Sequence, residues 1–291
     1  MQETFNPHPS KPHRMPPAGS WDTHFHVFDG GDLAGADKSA AYAPITAPME
    51  ALQHMHRTIG IARGVLIQPT SVIPDYARFI GQLRSDDRLM GIAVIDDNTE
   101  DQTLEALHAA GVRGVRFHFA SFLKKRPSNN TFERVVSRIK TLGWHVLVHV
   151  EGDDLIELAP MLKRLPIPVI VDHIAHTRIS DGIDEPRFQC LLSLQRNENI
   201  WVKVCNSDRW SRTGAPSYED AIPFGRALVA NGDQRLIWAT DWPHVMYKDP
   251  RSPGDEKPDE GNLMNLLFAF VDNDEKLLQR ILVHNPLALY R

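Results

Sequence analysis

The sequence has only two cysteines, Cys190 and Cys205. That is too few for a disulfide framework, which excludes the small cross-linked secreted folds and suits a reducing compartment. No stretch approaches the ~18 consecutive apolar residues that a membrane span needs. The first residues, polar and rich in proline, lack the apolar centre of a signal peptide. A soluble cytoplasmic protein is the expectation. A broad basic field is missing too: the net charge is -5 and Lys124-Lys125-Arg126 is the densest basic cluster, so neither nucleic acid nor a membrane surface is an expected partner. No glycine-rich phosphate loop follows the first β-type run, which argues against an open doubly wound sheet. Internal repeats are absent, and oligomeric state leaves no mark on the sequence.

What the sequence does have is 291 residues, 42% of them hydrophobic, enough to bury a full core. Eight short β-type runs fall at residues 21–28, 64–68, 91–95, 114–119, 145–150, 168–173, 200–205 and 236–241. Several are continuously apolar, the pattern of parallel strands covered on both faces. Between them lie stretches of helical periodicity, among them 104–111 and 132–142, closed by Gly111 and Gly143, and 154–165, stopped by Pro166. Eight strands alternating with helices predict one α/β domain, a distorted (β/α)8 TIM barrel over residues 20–291. Residues 1–19, with Pro7, Pro9, Pro12, Pro16 and Pro17, read as an extended arm against it. Residues 29–48 and 247–261 are candidate loops over an active site.

Polar residues gather where such a barrel keeps its chemistry, at the carboxyl ends of strands. His24 and His26 end the first run, His149 the fifth, His173 the sixth and Asp241 the eighth. Residues two apart on a strand share a face about 6–7 Å apart, so His24 and His26 can chelate one ion while Phe25 packs the other way. A lone histidine in a strand is ordinarily a hydrogen-bonded core residue; four with a carboxylate need an ion or a substrate to satisfy them. Imidazole donors suit one divalent zinc, or manganese, better than magnesium or calcium. The candidate metal ligands are thus His24, His26, His149, His173 and Asp241, with Asp241 also placed to accept a proton from an attacking water. His8, His13, His54, His56, His108 and His145 lie in the arm, in helices or at a strand start, and are expected at the surface.

Asp22-Thr23-His24-Phe25-His26, the strand-six histidine and Thr240-Asp241-Trp242-Pro243-His244 resemble the amidohydrolase superfamily, and more narrowly its 2-pyrone-4,6-dicarboxylate lactonase branch. The likeness runs from Ser10-Lys11-Pro12 through Gly91-Ile92-Ala93-Val94-Ile95-Asp96 and Arg113-Gly114-Val115-Arg116-Phe117 to Asn285-Pro286-Leu287. It implies hydrolysis of a small anionic lactone, with Asp241 and His173 catalytic. It also implies that Arg116, Arg209, Tyr42 and Thr70 hold the substrate's anionic groups, with His244 of the end motif beside them. Guanidinium groups suit that task because they grip a carboxylate with two parallel hydrogen bonds. For Arg116 and Arg209 the structural alternative is an ion pair at the rim.

Two departures from the branch follow. It is thought to work without a metal and to place a tyrosine where this chain has His149; here the histidine completes a metal-binding set. It also carries a further arginine shortly after the Arg116 position, where this chain has Phe122, then Lys124, Lys125 and Arg126. The substrate is therefore expected to differ in one anionic arm, in the range of pyrone-dicarboxylate-like, muconolactone-like or sulfomuconolactone-like lactones. The alternative functions are a metal-dependent non-oxidative decarboxylase of an aromatic acid, a metal-free lactonase or lactone isomerase, and a passive metal- or carbohydrate-binding module.

Overall fold

A computed structural model describes residues 5–120, 126–245 and 257–291. Eight strands form one parallel sheet in sequence order: β1 (Trp21–Phe25), β2 (Arg63–Ile67), β3 (Leu89–Ala93), β4 (Val112–His118), β5 (His145–His149), β6 (Val169–Val171), β7 (Ile200–Val204) and β8 (Leu236–Trp238). Helices alternate with them: α1 (Gly30–Ala34), α2 (Met49–Ile59), α3 (Tyr76–Arg84), α4 (Asp101–Ala109), α5 (Asn129–Lys140), α6 (Asp153–Leu162), α7 (Pro186–Gln195), α8 (Ile222–Asn231), α9 (Glu260–Phe270), α10 (Glu275–Gln279) and α11 (Asn285–Tyr290). The expected (β/α)8 barrel is what forms. Each expected strand is present, although every one stops one to three residues before its run does.

The helices follow from capping and spacing. Ser128 caps α5 by accepting from Thr131 N at 3.1 Å, and Phe132, Val135, Val136 and Ile139 recur on one buried stripe. That stripe packs against outward residues of the strands, such as Val115, Phe117, Val146 and Val148, in the main core between sheet and helices. A smaller cluster fills the barrel itself: Trp21, Val65, Ile67, Ile92, Leu147, Ile170 and Ile237, closed from below by Tyr290.

Strand periodicity then sets the layers above this plug. Arg116, Leu147, Ile170 and Trp201 are neighbours across β4 to β7, and so share the inner face. Two residues further along, the inner positions are His118, His149 and Lys203, with Asp172 just past the end of β6. Apolar floor gives way to a polar layer within one strand repeat.

On β1 a simple period of two would put Trp21 and His24 on opposite faces. Instead Asp22 pairs with Gly64 and Phe25 with Leu66, so β1 has two residues where β2 has one. This bulge turns His24 and His26 inward while Phe25 stays in the outer core. The barrel closes beyond β8: Asp241 N donates to His24 O at 3.0 Å and His26 N to Trp242 O at 2.8 Å. Residues 6–14 run along α9. There Asp259 caps the helix and also accepts from Ser10 N and Oγ at 2.8 and 2.5 Å. Gly261 is required at this approach, because a Cβ would stand 2.3 Å from Ser10 O. Among the described residues, no helix is long and apolar enough to cross a membrane.

Candidate active site

His24 and His26 meet at the mouth of the barrel with their Nε2 atoms 3.3 Å apart. His26 Nδ1 donates to Ile67 O at 2.8 Å, which fixes its tautomer and leaves the Nε2 lone pair facing His24. Asp241 lies just past β8 in a left-handed conformation, φ 61°, with Oδ1 3.5 Å from His24 Nε2 and 3.8 Å from His173 Nε2. Its other oxygen accepts from Asn206 Nδ2 at 2.7 Å and lies 3.6 Å from Arg209 Nη2. Burial raises the Asp241 carboxyl above its ordinary range, against the opposing pull of Arg209 and the Asn206 hydrogen bond.

His173 is the first of four consecutive residues, His173, Ile174, Ala175 and His176, with φ between 45° and 54°. Left-handed backbone costs roughly 1–2 kcal/mol per non-glycine residue, so this turn persists only because its surroundings hold it. Its three-residue repeat brings His173 and His176 to one side. His173 Nδ1 lies 3.1 Å from Cys205 Sγ, and its Nε2 is 3.2 Å from Asp172 Oδ2. His176 stacks on His149, with Nε2 to Nε2 at 2.7 Å.

Beneath the histidines lies a group that the strand-end reading missed. Asp172, fully buried, takes Arg116 Nη2 at 2.9 Å, His24 Nδ1 at 3.2 Å and Lys203 Nζ at 3.2 Å. Burial alone would raise its pKa, but the charges of Lys203 and Arg116 beside it outweigh that and hold it well below the ordinary range. Burial keeps His24, His149 and His173 well below the ordinary histidine range and His26 at about 3, so all four are neutral.

Among the described residues the donor atoms form two overlapping groups: His24, His26 and Asp241, and His24, Asp172 and His173. Two ligands of a tetrahedral zinc at ~2.0–2.1 Å stand about 3.3–3.4 Å apart, so the first group fits a divalent ion without rearrangement of His24 against His26. His149 belongs to neither. Its Nδ1 faces His118 Nδ1 at 3.2 Å and Arg116 Nη2 at 3.3 Å, one imidazole further round the barrel.

Of the expected substrate contacts, Arg116 and Arg209 both reach the centre. Arg116 is buried on Asp172 rather than paired at the rim, and its Nε is a buried donor with no hydrogen-bond partner among the described residues. Arg209 Nη2 also donates to Val245 O at 3.1 Å. Tyr42, from the segment between α1 and α2, lies beside Thr70 and Ser71, and burial raises its phenol. His244 Nε2 contacts Glu260 Oε1 at 3.1 Å. Phe122, Lys124, Lys125 and residues 247–256 of the second expected loop lie outside the described residues.

Two surface expectations are corrected. His145 is 1% exposed and packs edge-on against Tyr290 in the barrel floor, because the start of β5 points inward. His56 on α2 is mostly buried, with Nε2 3.1 Å from Asp22 Oδ2. The sequence carried signals for the residues missed: Lys203 interrupts an apolar strand, Asp172 adjoins His173, and His176 follows it by three.

With this geometry in hand, residues 21–291 match the amidohydrolase family profile. The chain belongs to the amidohydrolase family. Within the family it is 36% identical over 284 residues to a 4-sulfomuconolactone hydrolase of Hydrogenophaga intermedia, covering 95% of this chain and 89% of that one. It is 34% identical over 291 residues to a 2-pyrone-4,6-dicarboxylate hydrolase of Comamonas testosteroni, covering 97% and 93%. A crystal structure of a probable 2-pyrone-4,6-dicarboxylic acid hydrolase from Acinetobacter baumannii, with citric acid bound, superposes with a TM-score of 0.79 at 28% identity over 94% of this chain and 99% of that one. The amidohydrolase fold and both amidohydrolase relatives thus span nearly the whole chain.

Proposed function

We propose that this amidohydrolase hydrolyses the ester bond of a small anionic lactone, with Asp241 as the proton-transfer residue. The observation that carries the reading is the setting of Asp241: one oxygen faces His24 and His173, the other is held by Asn206 and Arg209. A carboxyl raised by burial toward the range of a general base and acid suits both halves of the reaction. Asp241 takes the proton of water as its oxygen bonds to the lactone carbonyl carbon. It returns that proton to the ring oxygen as the carbonyl carbon–oxygen bond breaks, leaving a carboxylate and an enol or hydroxyl group.

An anionic substrate is supported by charge. Arg116 and Lys203 pair with Asp172 and Arg209 lies 3.6 Å from Asp241, so three cations line the centre, and among the described residues Arg116 Nε is a buried donor without a partner. Tyr42 and Thr70 would add hydroxyl contacts from the opposite wall. His24, His26 and Asp241 would hold one zinc or manganese ion, which when bound supplies Lewis acidity at the lactone carbonyl. The relatives named for sulfonated and carboxylated lactones point to the same substrate class.

The test is a pH-stat screen of purified protein, with and without added zinc or manganese, against 4-sulfomuconolactone, 2-pyrone-4,6-dicarboxylate and an uncharged lactone. Acid release with the charged lactones supports the reading. Release of carbon dioxide from an aromatic acid, with no lactone turned over, replaces it with decarboxylation.

A further inference from the structure

Lys203 is 0% exposed, an ammonium group locked beneath the histidines on the inner face of β7. Its Nζ lies 3.0 Å from His24 Nδ1 and 3.2 Å from Asp172 Oδ1. These contacts, with two others, determine where His24 keeps its proton. An ammonium only donates, so His24 Nδ1 at 3.0 Å must present its lone pair. Ile67 O only accepts, so His26 carries its hydrogen on Nδ1 and presents a lone pair at Nε2. His24 Nε2, 3.3 Å from that lone pair, is then the donor. One arrangement satisfies the contacts to Lys203 and His26, with Lys203 donating to His24 Nδ1 and His24 Nε2–H donating to His26 Nε2, and leaves the 3.2 Å approach of Asp172 Oδ1 to the same Nδ1 without a hydrogen.

That arrangement is the wrong one for a metal. The atom that faces His26 and Asp241 is His24 Nε2, and a nitrogen bearing hydrogen has no lone pair to give. We propose that Lys203 holds His24 in its Nε2–H tautomer and thereby weakens the affinity of the His24, His26 and Asp241 site for divalent metal. For His24 to ligate, its proton must pass to Nδ1 and be accepted by Asp172 Oδ1, already 3.2 Å away. Lys203 must then give up its bond to the ring and keep only Asp172. Asp172 and Lys203 thus compete for the same face of His24, one favouring the ligating tautomer and the other opposing it. The inference rests on the reading of His24, His26 and Asp241 as a metal site, but not on which lactone is hydrolysed.

Two measurements test it. The first is the tautomer of His24 in metal-free wild-type protein labelled with ¹⁵N-histidine, its signal assigned by its loss in His24→Gln. Nε2–H is expected; Nδ1–H overturns the proposal. The second is zinc affinity by chelator competition for wild type and Lys203→Met, which keeps the length of the side chain and leaves Arg116 to pair Asp172. Loss of one charge-assisted hydrogen bond predicts zinc bound about 10–100-fold more tightly by the variant. The ¹⁵N spectrum of the variant should show Nδ1–H. Equal or weaker affinity, or no zinc on either protein, overturns it. If Lys203→Met does not fold, the wild-type tautomer still decides. A lactone screen that succeeds while these fail leaves the proposed activity standing and removes only this role of Lys203.

Discussion

The Asp22 carboxylate ties the first strand to the end of the last by accepting from Thr240 N at 3.0 Å and Thr240 Oγ1 at 2.5 Å. It also accepts from His24 N at 3.2 Å. The two residues of the proposed centre, His24 and Asp241, are thus next to or near groups on one buried carboxylate. Thr240→Val keeps the shape and removes one donor from that charge. Stability should fall by roughly 1–3 kcal/mol in urea unfolding, the usual cost of a lost bond to a buried charged group. Because Asp241 loses its neighbour's anchor, kcat should fall more than KM rises. Unchanged stability would show that the contact does not brace the closure.

Asp241→Asn preserves volume and can still accept from Asn206, but it cannot take up a proton. Turnover should drop by about 10²–10⁴ while substrate binding survives. If Asp241 also holds the ion, metal occupancy falls as well, so rates are compared per bound metal. Near-normal turnover on that basis would move the search for the base to His244.

Arg209→Met should discriminate by substrate charge. Loss of a clamp on a desolvated anion lowers kcat/KM for charged lactones by roughly 2–4 kcal/mol equivalent and leaves an uncharged lactone little affected. Equal losses for both would mean that Arg209 acts through its contacts to Asp241 and Val245 O instead.

Acid should unfold the barrel in part through two histidines outside the proposed metal site. His145 and His176 are each held at about 3, by burial first and then by the charges of Lys203 and Arg209 respectively. An unfolded histidine titrates near 6.5, so between pH ~6.5 and ~3 the unfolded chain binds more protons than the fold. Stability therefore rises with pH in that window and is lost on acidification, by up to about 1.4 kcal/mol per pH unit for each histidine. His145→Leu should flatten the slope by about one such increment in urea titrations at pH 7 and pH 5. An unaltered slope would show that His145 does not stay neutral.

The barrel was legible because short apolar runs and helix stops are local signals. The eight apolar runs and Gly111 or Gly143 mark their elements without reference to anything distant. Site membership was harder. His24, His26 and Asp241 converge as their strand-end positions suggested, but the bulge on β1 that turns both histidines inward has no local signature. Whether His149 faces the same point depends on the neighbours of β5, and in the fold it faces His118 and His176. Lys203 and Asp172 were visible only as charges inside apolar runs; their meeting needs the register of β6 against β7. His145 looked superficial because position at a strand start says nothing about which face the first residue takes.

The measurement that tests the central claim most directly is turnover of 4-sulfomuconolactone or 2-pyrone-4,6-dicarboxylate in H₂¹⁸O, with wild type and Asp241→Asn side by side. Hydrolysis with attack at the lactone carbonyl predicts one ¹⁸O in the newly formed carboxylate of the wild-type product, and little product from the variant. A product of unchanged composition without ¹⁸O, as in isomerisation, or loss of carbon dioxide, would contradict it.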